Sequence, residues 1–252
     1  MDNRIKITGI VLSVMPVGDY DRRVTILTKE RGKISAFARG ARRPGNTLIA
    51  ATQPCVFGNF SLFAGRDSFT ISEVNVEEYF SEIRENIDSA YYAMYFCEVA
   101  DFYTKDGNDE REYLKLLYAA LKALVRGAMS RRLIRAVFEL KTCCINGEAP
   151  LLSECVLCHK TGEEQEYFSL QNGGKVCSEC AKKLPAGALR KLNASSWYAL
   201  WFVENTKISK LFSFTLSAEV EEEFRSLSAD YLFLRVNHEF KGEKLIDLIT
   251  SD

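Results

Sequence analysis

Over the first eighty residues apolar and polar positions alternate with a period near two, the signature of half-buried strands. Five such runs are legible: Ile5 to Val14, Val24 to Thr28, Lys33 to Ala38, Cys55 to Phe63 and Phe69 to Val74. Turn chemistry separates them, with Gly18-Asp19-Tyr20-Asp21, Glu30-Arg31-Gly32 and Gly65-Arg66-Asp67 at short intervals. Five evenly spaced strands predict a small closed barrel, because closure removes the unpaired edges that an open sheet leaves.

Near Tyr79 the period lengthens to about 3.6. From Ile83 through Tyr103 apolar residues fall on most faces, which predicts one helix buried among others. Tyr113, Leu116, Leu117, Ala120, Leu121 and Leu124 form a single stripe. Ser130 is placed to cap a third helix with Leu133, Val137, Leu140 and Cys144 inward, ending at Gly147 ahead of Pro150. Helices resume at 194–205 and 217–238, the latter opening on Glu219, Glu221, Glu222 and Glu223, where acids suit the positive end of a helix dipole. The expected class is therefore α+β and multidomain. Its divisions are a barrel over 1–80, a helical domain in two parts over 81–150 and 185–252, and a cysteine-bearing module over 151–184.

That module carries the strongest chemical signal. Cys155-Val156-Leu157-Cys158 and Cys177-Ser178-Glu179-Cys180 are two Cys-x-x-Cys pairs, the spacing of a four-thiolate zinc site closed by a fold-back of the chain between them. Four protein ligands leave no open position for water, so one structural zinc ion is expected, held by Cys155, Cys158, Cys177 and Cys180. His159 follows a ligand directly and reads as a bystander. Of the eight cysteines, Cys55, Cys97, Cys143 and Cys144 sit in apolar runs and read as core. No signal-peptide pattern follows Met1-Asp2-Asn3-Arg4-Ile5, so a reducing cytoplasm is expected, and no apolar run reaches the ~20 residues that span a bilayer.

Net charge is −1, yet it is unevenly spread. Arg22, Arg23, Lys29, Arg31, Lys33, Arg39, Arg42 and Arg43 face Glu30 alone between positions 22 and 43. On a barrel, such guanidinium groups can track phosphates while Phe37, Phe57, Phe60 and Phe63 offer stacking surfaces or, more simply, core. Arg22, Arg23, Lys33, Arg39, Arg42 and Arg43 are the candidate nucleic-acid contacts.

Other chemistries fit poorly. Gly40 to Thr47 has P-loop glycine spacing but Asn46 where the lysine must stand, and reads as a basic loop between strands. His159 and His238 have no evident triad partners, and Asp19 and Asp21 fall in a turn where they serve backbone groups, which disfavours a nuclease. Tyr91, Tyr92, Tyr95 and the stretch from Trp197 to Phe202 read as bundle core, with an inter-helix groove for a partner's tail as the alternative.

The order of Gly18-Asp19-Tyr20-Asp21, Val24 to Lys33, Ala38-Arg39-Gly40-Ala41-Arg42-Arg43-Pro44, the two cysteine pairs, Leu232-Phe233-Leu234-Arg235 and Gly242-Glu243-Lys244-Leu245 resembles the RecO family of bacterial recombination mediators. The resemblance implies an N-terminal OB-fold, a helical domain and an embedded zinc module. It implies a non-enzymatic role in the cytoplasm, at the nucleoid: binding single- and double-stranded DNA, annealing strands and, with RecR, loading RecA onto strands coated by SSB, whose C-terminal tail is a further partner. No membrane and no small-molecule substrate is implied. The contrasting expectation is a zinc-containing interaction scaffold without DNA affinity of its own.

Overall fold

The structure, a computed structural model, describes residues 4–65, 68–162, 167–185 and 187–250. Arg66 and Asp67 of the expected turn lie outside the described residues. By contacts the chain divides into two compact units, one holding residues 1–126 and 240–252, the other Gly127–Glu239.

In the first unit, β1 (Arg4–Val17), β2 (Asp21–Thr28), β3 (Gly32–Ala38), β4 (Phe57–Ala64) and β5 (Phe69–Glu78) close in the order β1-β2-β3-β5-β4. Every seam is antiparallel except β3 with β5, where Ala36 pairs Phe69 and Phe37 pairs Thr70. This is the OB-fold, with short α1 (Leu48–Ala51) between β3 and β4. Alternation decides the interior: Val24, Ile26, Ile34, Ala36, Phe60, Leu62 and Ile71 point inward and are buried. Small side chains on β3 leave room for Phe60, whose full burial contributes roughly 2 kcal/mol.

Alternation breaks on β1, where Ile10, Val11 and Leu12 are all buried. A register shift between Val11 and Ser13 marks a bulge, and helices cover this part of the outer wall. Those helices are α2 (Ser81–Glu85), α3 (Ile87–Tyr103) and α4 (Arg111–Arg126), of which α3 and α4 pack on β1 and α4 on β2. The single helix expected from Ile83 is thus two. Asn86 leaves the helical region at φ −120° and its side chain caps α3 by accepting from the Ser89 amide. Gly32, at φ +65°, ends the β2–β3 turn where a Cβ would lie 2.3 Å from the Lys105 carbonyl oxygen, so the α3–α4 loop docks against bare backbone.

The second unit is built on α5 (Arg131–Ile145), capped as expected by Ser130, which accepts from the Leu133 amide at 3.0 Å. β6 (Tyr167–Ser169), β7 (Gly174–Val176) and α6 (Ser178–Ala181) follow, then α7 (Ala194–Asn205), α8 (Ile208–Leu211) and α9 (Ala218–Val236). α5, α7 and α9 pack mutually around Leu133, Val137, Phe138, Leu200, Phe224 and Leu227. Lys141 extends from α5 to donate to the carbonyls of Val203, Glu204 and Thr206, placing an ammonium on the negative end of α7. The aromatic stretch on α7 is only half core: Trp197 is buried, whereas Tyr198 and Trp201 are exposed.

The chain finishes in the first unit with α10 (Lys241–Thr250), a helix the sequence pattern did not suggest. Its first amides, Lys241 and Gly242, donate to the Glu98 carboxylate of α3, and Gly242 lies so close that a Cβ would stand 2.7 Å from the Tyr95 Cα.

Candidate metal centre and nucleic-acid interface

Two short backbone knuckles present the four cysteines. The first turns after Cys155, whose carbonyl accepts from the His159 amide at 2.9 Å while its amide donates to the Lys160 carbonyl at 3.0 Å. The second leaves β7 at Cys177, the N-cap residue of α6, so Cys180 returns one turn later beside it. The four Sγ atoms lie within 4.8 Å of one another, with Cys158 and Cys177 at 3.7 Å. A tetrahedral thiolate site with Zn–S near ~2.3 Å needs sulfurs about 3.8 Å apart, so the residues fit the ion.

The electrostatics point the same way. Cys180 is pushed up to about 12, first by its hydrogen bond with Cys158 and then by burial. Burial also opposes ionisation of Cys155, but the amides of Cys177, Leu157 and Cys158 outweigh it and bring that thiol down to about 6. A divalent cation would relieve this competition for protons by allowing all four to ionise. His159 stands outside the cluster, its Nδ1 2.8 Å from Glu154 Oε1. Cys55, Cys97 and Cys143 are buried and Cys144 partly so, consistent with core roles.

The basic candidates divide by what they already touch. Arg23 faces outward on β2, opposite Phe37 across the β2–β3 seam, with Nε donating to Ser35 Oγ at 2.8 Å. Arg39, Arg42 and Arg43 are exposed on the loop after β3. Arg42 donates through Nη1 to the Gly18 carbonyl and Arg43 covers the Tyr20 ring at 4.8 Å, so this loop and the β1–β2 turn form one surface. Arg22 turns elsewhere: its Nη1 donates to the Ile49 carbonyl and Thr52 Oγ1 at the end of α1. Lys33 pairs with Asp101 of α3 at 2.9 Å.

Between these groups a groove of about 600 Å³ opens on the outer wall of β2 and β3, lined by Arg23, Lys33, Ser35, Ser68, Phe69 and Asp101 among others. Of the four phenylalanines, Phe60 is core, Phe57 packs against Tyr118 at 4.8 Å, and Phe63 and Phe37 retain exposure. Sequence reasoning missed Tyr20 and Phe69, the latter with the Arg31 guanidinium 5.6 Å above its ring. Both belong to turns or strand starts at the mouth of the barrel, where OB-folds engage ligands.

The remaining motifs prove to be scaffolding. Asn46 holds the β3–α1 loop together, donating to the Gly40 carbonyl and accepting from the Leu48 amide. Asp21 accepts from the Gly40 amide at 2.7 Å, serving backbone as its position suggested. No helix among the described residues is long and apolar enough to cross a membrane.

A closed OB barrel followed in one chain by helices and a four-cysteine module defines a multidomain α+β protein, and the comparisons narrow that class. Residues 1–80 match Recombination protein O N terminal and residues 84–244 match Recombination protein O C terminal. The chain belongs to the RecO family of DNA repair proteins. It is 34% identical to the DNA repair protein RecO of Acetivibrio thermocellus over 238 residues, 94% of each chain. It is 32% identical to that of Symbiobacterium thermophilum over 249 residues, 97% of each, and 28% identical to that of Caldicellulosiruptor saccharolyticus over 237.

Proposed function

We propose that this chain is a recombination mediator whose barrel binds the DNA backbone without reading sequence. In this reading it anneals complementary strands and, with RecR, loads RecA onto single strands coated by SSB. The observation that carries the reading is the shared surface of the loop after β3 and the β1–β2 turn, on which Arg39, Arg42 and Arg43 are exposed beside the outward Arg23. Exposed guanidiniums that share one surface, with no carboxylate paired to them among the described residues, repel one another, and a polyphosphate relieves that repulsion while releasing its own condensed counterions. Arg22 and Lys33 border this surface and have inward partners to leave before they contribute.

The cysteine module is assigned one structural zinc ion, with no part in chemistry on DNA. Exposed Tyr198 and Trp201 on α7 offer apolar surface of the kind a partner tail such as that of SSB would cover. The test is fluorescence anisotropy of labelled single- and double-stranded oligonucleotides at several salt concentrations. Binding that weakens steeply with salt supports the mediator; absence of binding at low salt leaves an interaction scaffold.

A further inference from the structure

Tyr20 stands at the tip of the β1–β2 turn with half of its surface exposed (50%), where its ring is open to a partner. It is also held from several sides. Its carbonyl accepts from the Arg42 amide at 2.8 Å, and the Arg42 side chain reaches past it to the Gly18 carbonyl at 3.1 Å. The neighbouring Asp21 carboxylate is bonded to the Gly40 amide. The Arg43 guanidinium lies over the ring, 4.8 Å from its centroid. Gly18, at φ +53°, gives the turn the left-handed residue its tight geometry needs.

We infer that Tyr20 is a stacking site for an unpaired nucleobase, with Arg43 backing the ring and supplying charge to the adjoining phosphate; the inference rests on the DNA-binding reading above. A ring fixed in advance loses little conformational freedom on binding, and every base has a π-face to offer it. A base inside a duplex is already stacked on both sides and cannot use the site. Tyr20 therefore gives the barrel a preference for single strands that arginines alone cannot supply, because phosphates are present in both forms. Met15 and Val17 are exposed on the same hairpin.

The test compares the full chain with Tyr20→Leu and Tyr20→Phe on three probes: oligothymidylate, a duplex of equal length, and an oligomer of abasic sites carrying the same phosphates without bases. Stacking on one base predicts that Tyr20→Leu weakens oligothymidylate binding by about five- to hundredfold, with the salt slope unchanged. Duplex and abasic affinities should stay within twofold, and Tyr20→Phe should match the parent. Equal losses on oligothymidylate and abasic oligomer, or no loss on either, overturn the stacking site while leaving steep, salt-dependent binding by the parent intact. If the parent binds none of the probes, the DNA-binding reading and the inference fall together. Thermal melts of both variants check that the exposed position leaves the fold undisturbed.

Discussion

The cysteine module and the basic rim of the barrel are both clusters of like side chains, one of thiols and the other of guanidiniums, and they differ in how far they are withdrawn from water. The sulfurs are drawn within 4.8 Å of one another around buried Cys155 and Cys180, so a cation bound there would become part of the fold. The arginines are exposed on a loop and a strand, where water screens them and a polyanion bound as proposed above would come and go. Burial converts opposite-charge binding into stability, whereas exposure converts it into salt-dependent affinity. The first should respond to mutation in an all-or-none way, the second in steps.

Breaking the metal centre should give the largest effect. Cys177→Ser removes one of four ligands and opens the knuckle that positions Cys180. Elemental analysis should find zinc lost from the purified variant. An ion bound at a thousandfold excess over its dissociation constant adds about 4 kcal/mol to the stability of the folded form, and the melting temperature should fall accordingly. DNA affinity should change little. A variant that keeps its melting temperature while losing its metal would mean that the module is not held together by the ion.

The exposed cluster comes next. Changing Arg39, Arg42 and Arg43 together to alanine should leave the melting temperature nearly unchanged and shallow the slope of log affinity against log salt by about two to three units, at 0.7 to 0.9 per phosphate contact. An unaltered slope would remove these residues from the interface. A smaller and opposite change is expected at Asp101, which holds Lys33 by an ion pair at the edge of the groove. Asp101→Asn removes a repelling carboxylate and leaves the ammonium held by its hydrogen bond to the Asp101 carbonyl alone. Affinity should rise a few-fold and the slope steepen by up to about one unit. A decrease would mean that the pair itself shapes the binding surface.

The two regions were also unequally legible. The four-cysteine cluster is written in spacing, because two-residue spacers and a fold-back suffice to bring four sulfurs together, and all four expected cysteines meet. Barrel strands were readable for a similar reason, since alternation acts between neighbours. What escaped were features fixed across long distances. α10 takes part of its N-terminal cap from afar, its first amides donating to Glu98, more than a hundred residues earlier, and Gly242, which weakens a helix signal, lies against the backbone of Tyr95. The break at Asn86 was available as an Asn that caps, but the apolar residues on either side mask it. Tyr198 and Trp201 look like core beside Trp197 until the pairing of α7 with α5 and α9 decides which faces are covered. For the charged rim, the sequence supplies the list of arginines but not their partners.

Arg22 sharpens that last point with the smallest expected effect. In the sequence it is indistinguishable from Arg23, yet strand alternation sends the two to different neighbours. Arg22 donates to the Ile49 carbonyl at the end of α1, which also accepts from Gln53 Nε2, and to Thr52, whose own hydroxyl is committed to the Leu48 carbonyl. Truncation would remove both of these partly buried hydrogen bonds to the end of α1, at a cost of about 1 kcal/mol. Arg22→Ala should therefore lower the melting temperature by a few degrees with DNA affinity within twofold and the salt slope unchanged. Arg23→Ala should do the reverse, keeping the melting temperature and shallowing the slope by somewhat less than one unit. If both substitutions instead shallowed the slope equally, Arg22 would have to leave α1 when DNA binds, and the division of the basic cluster into structural and binding members would fail.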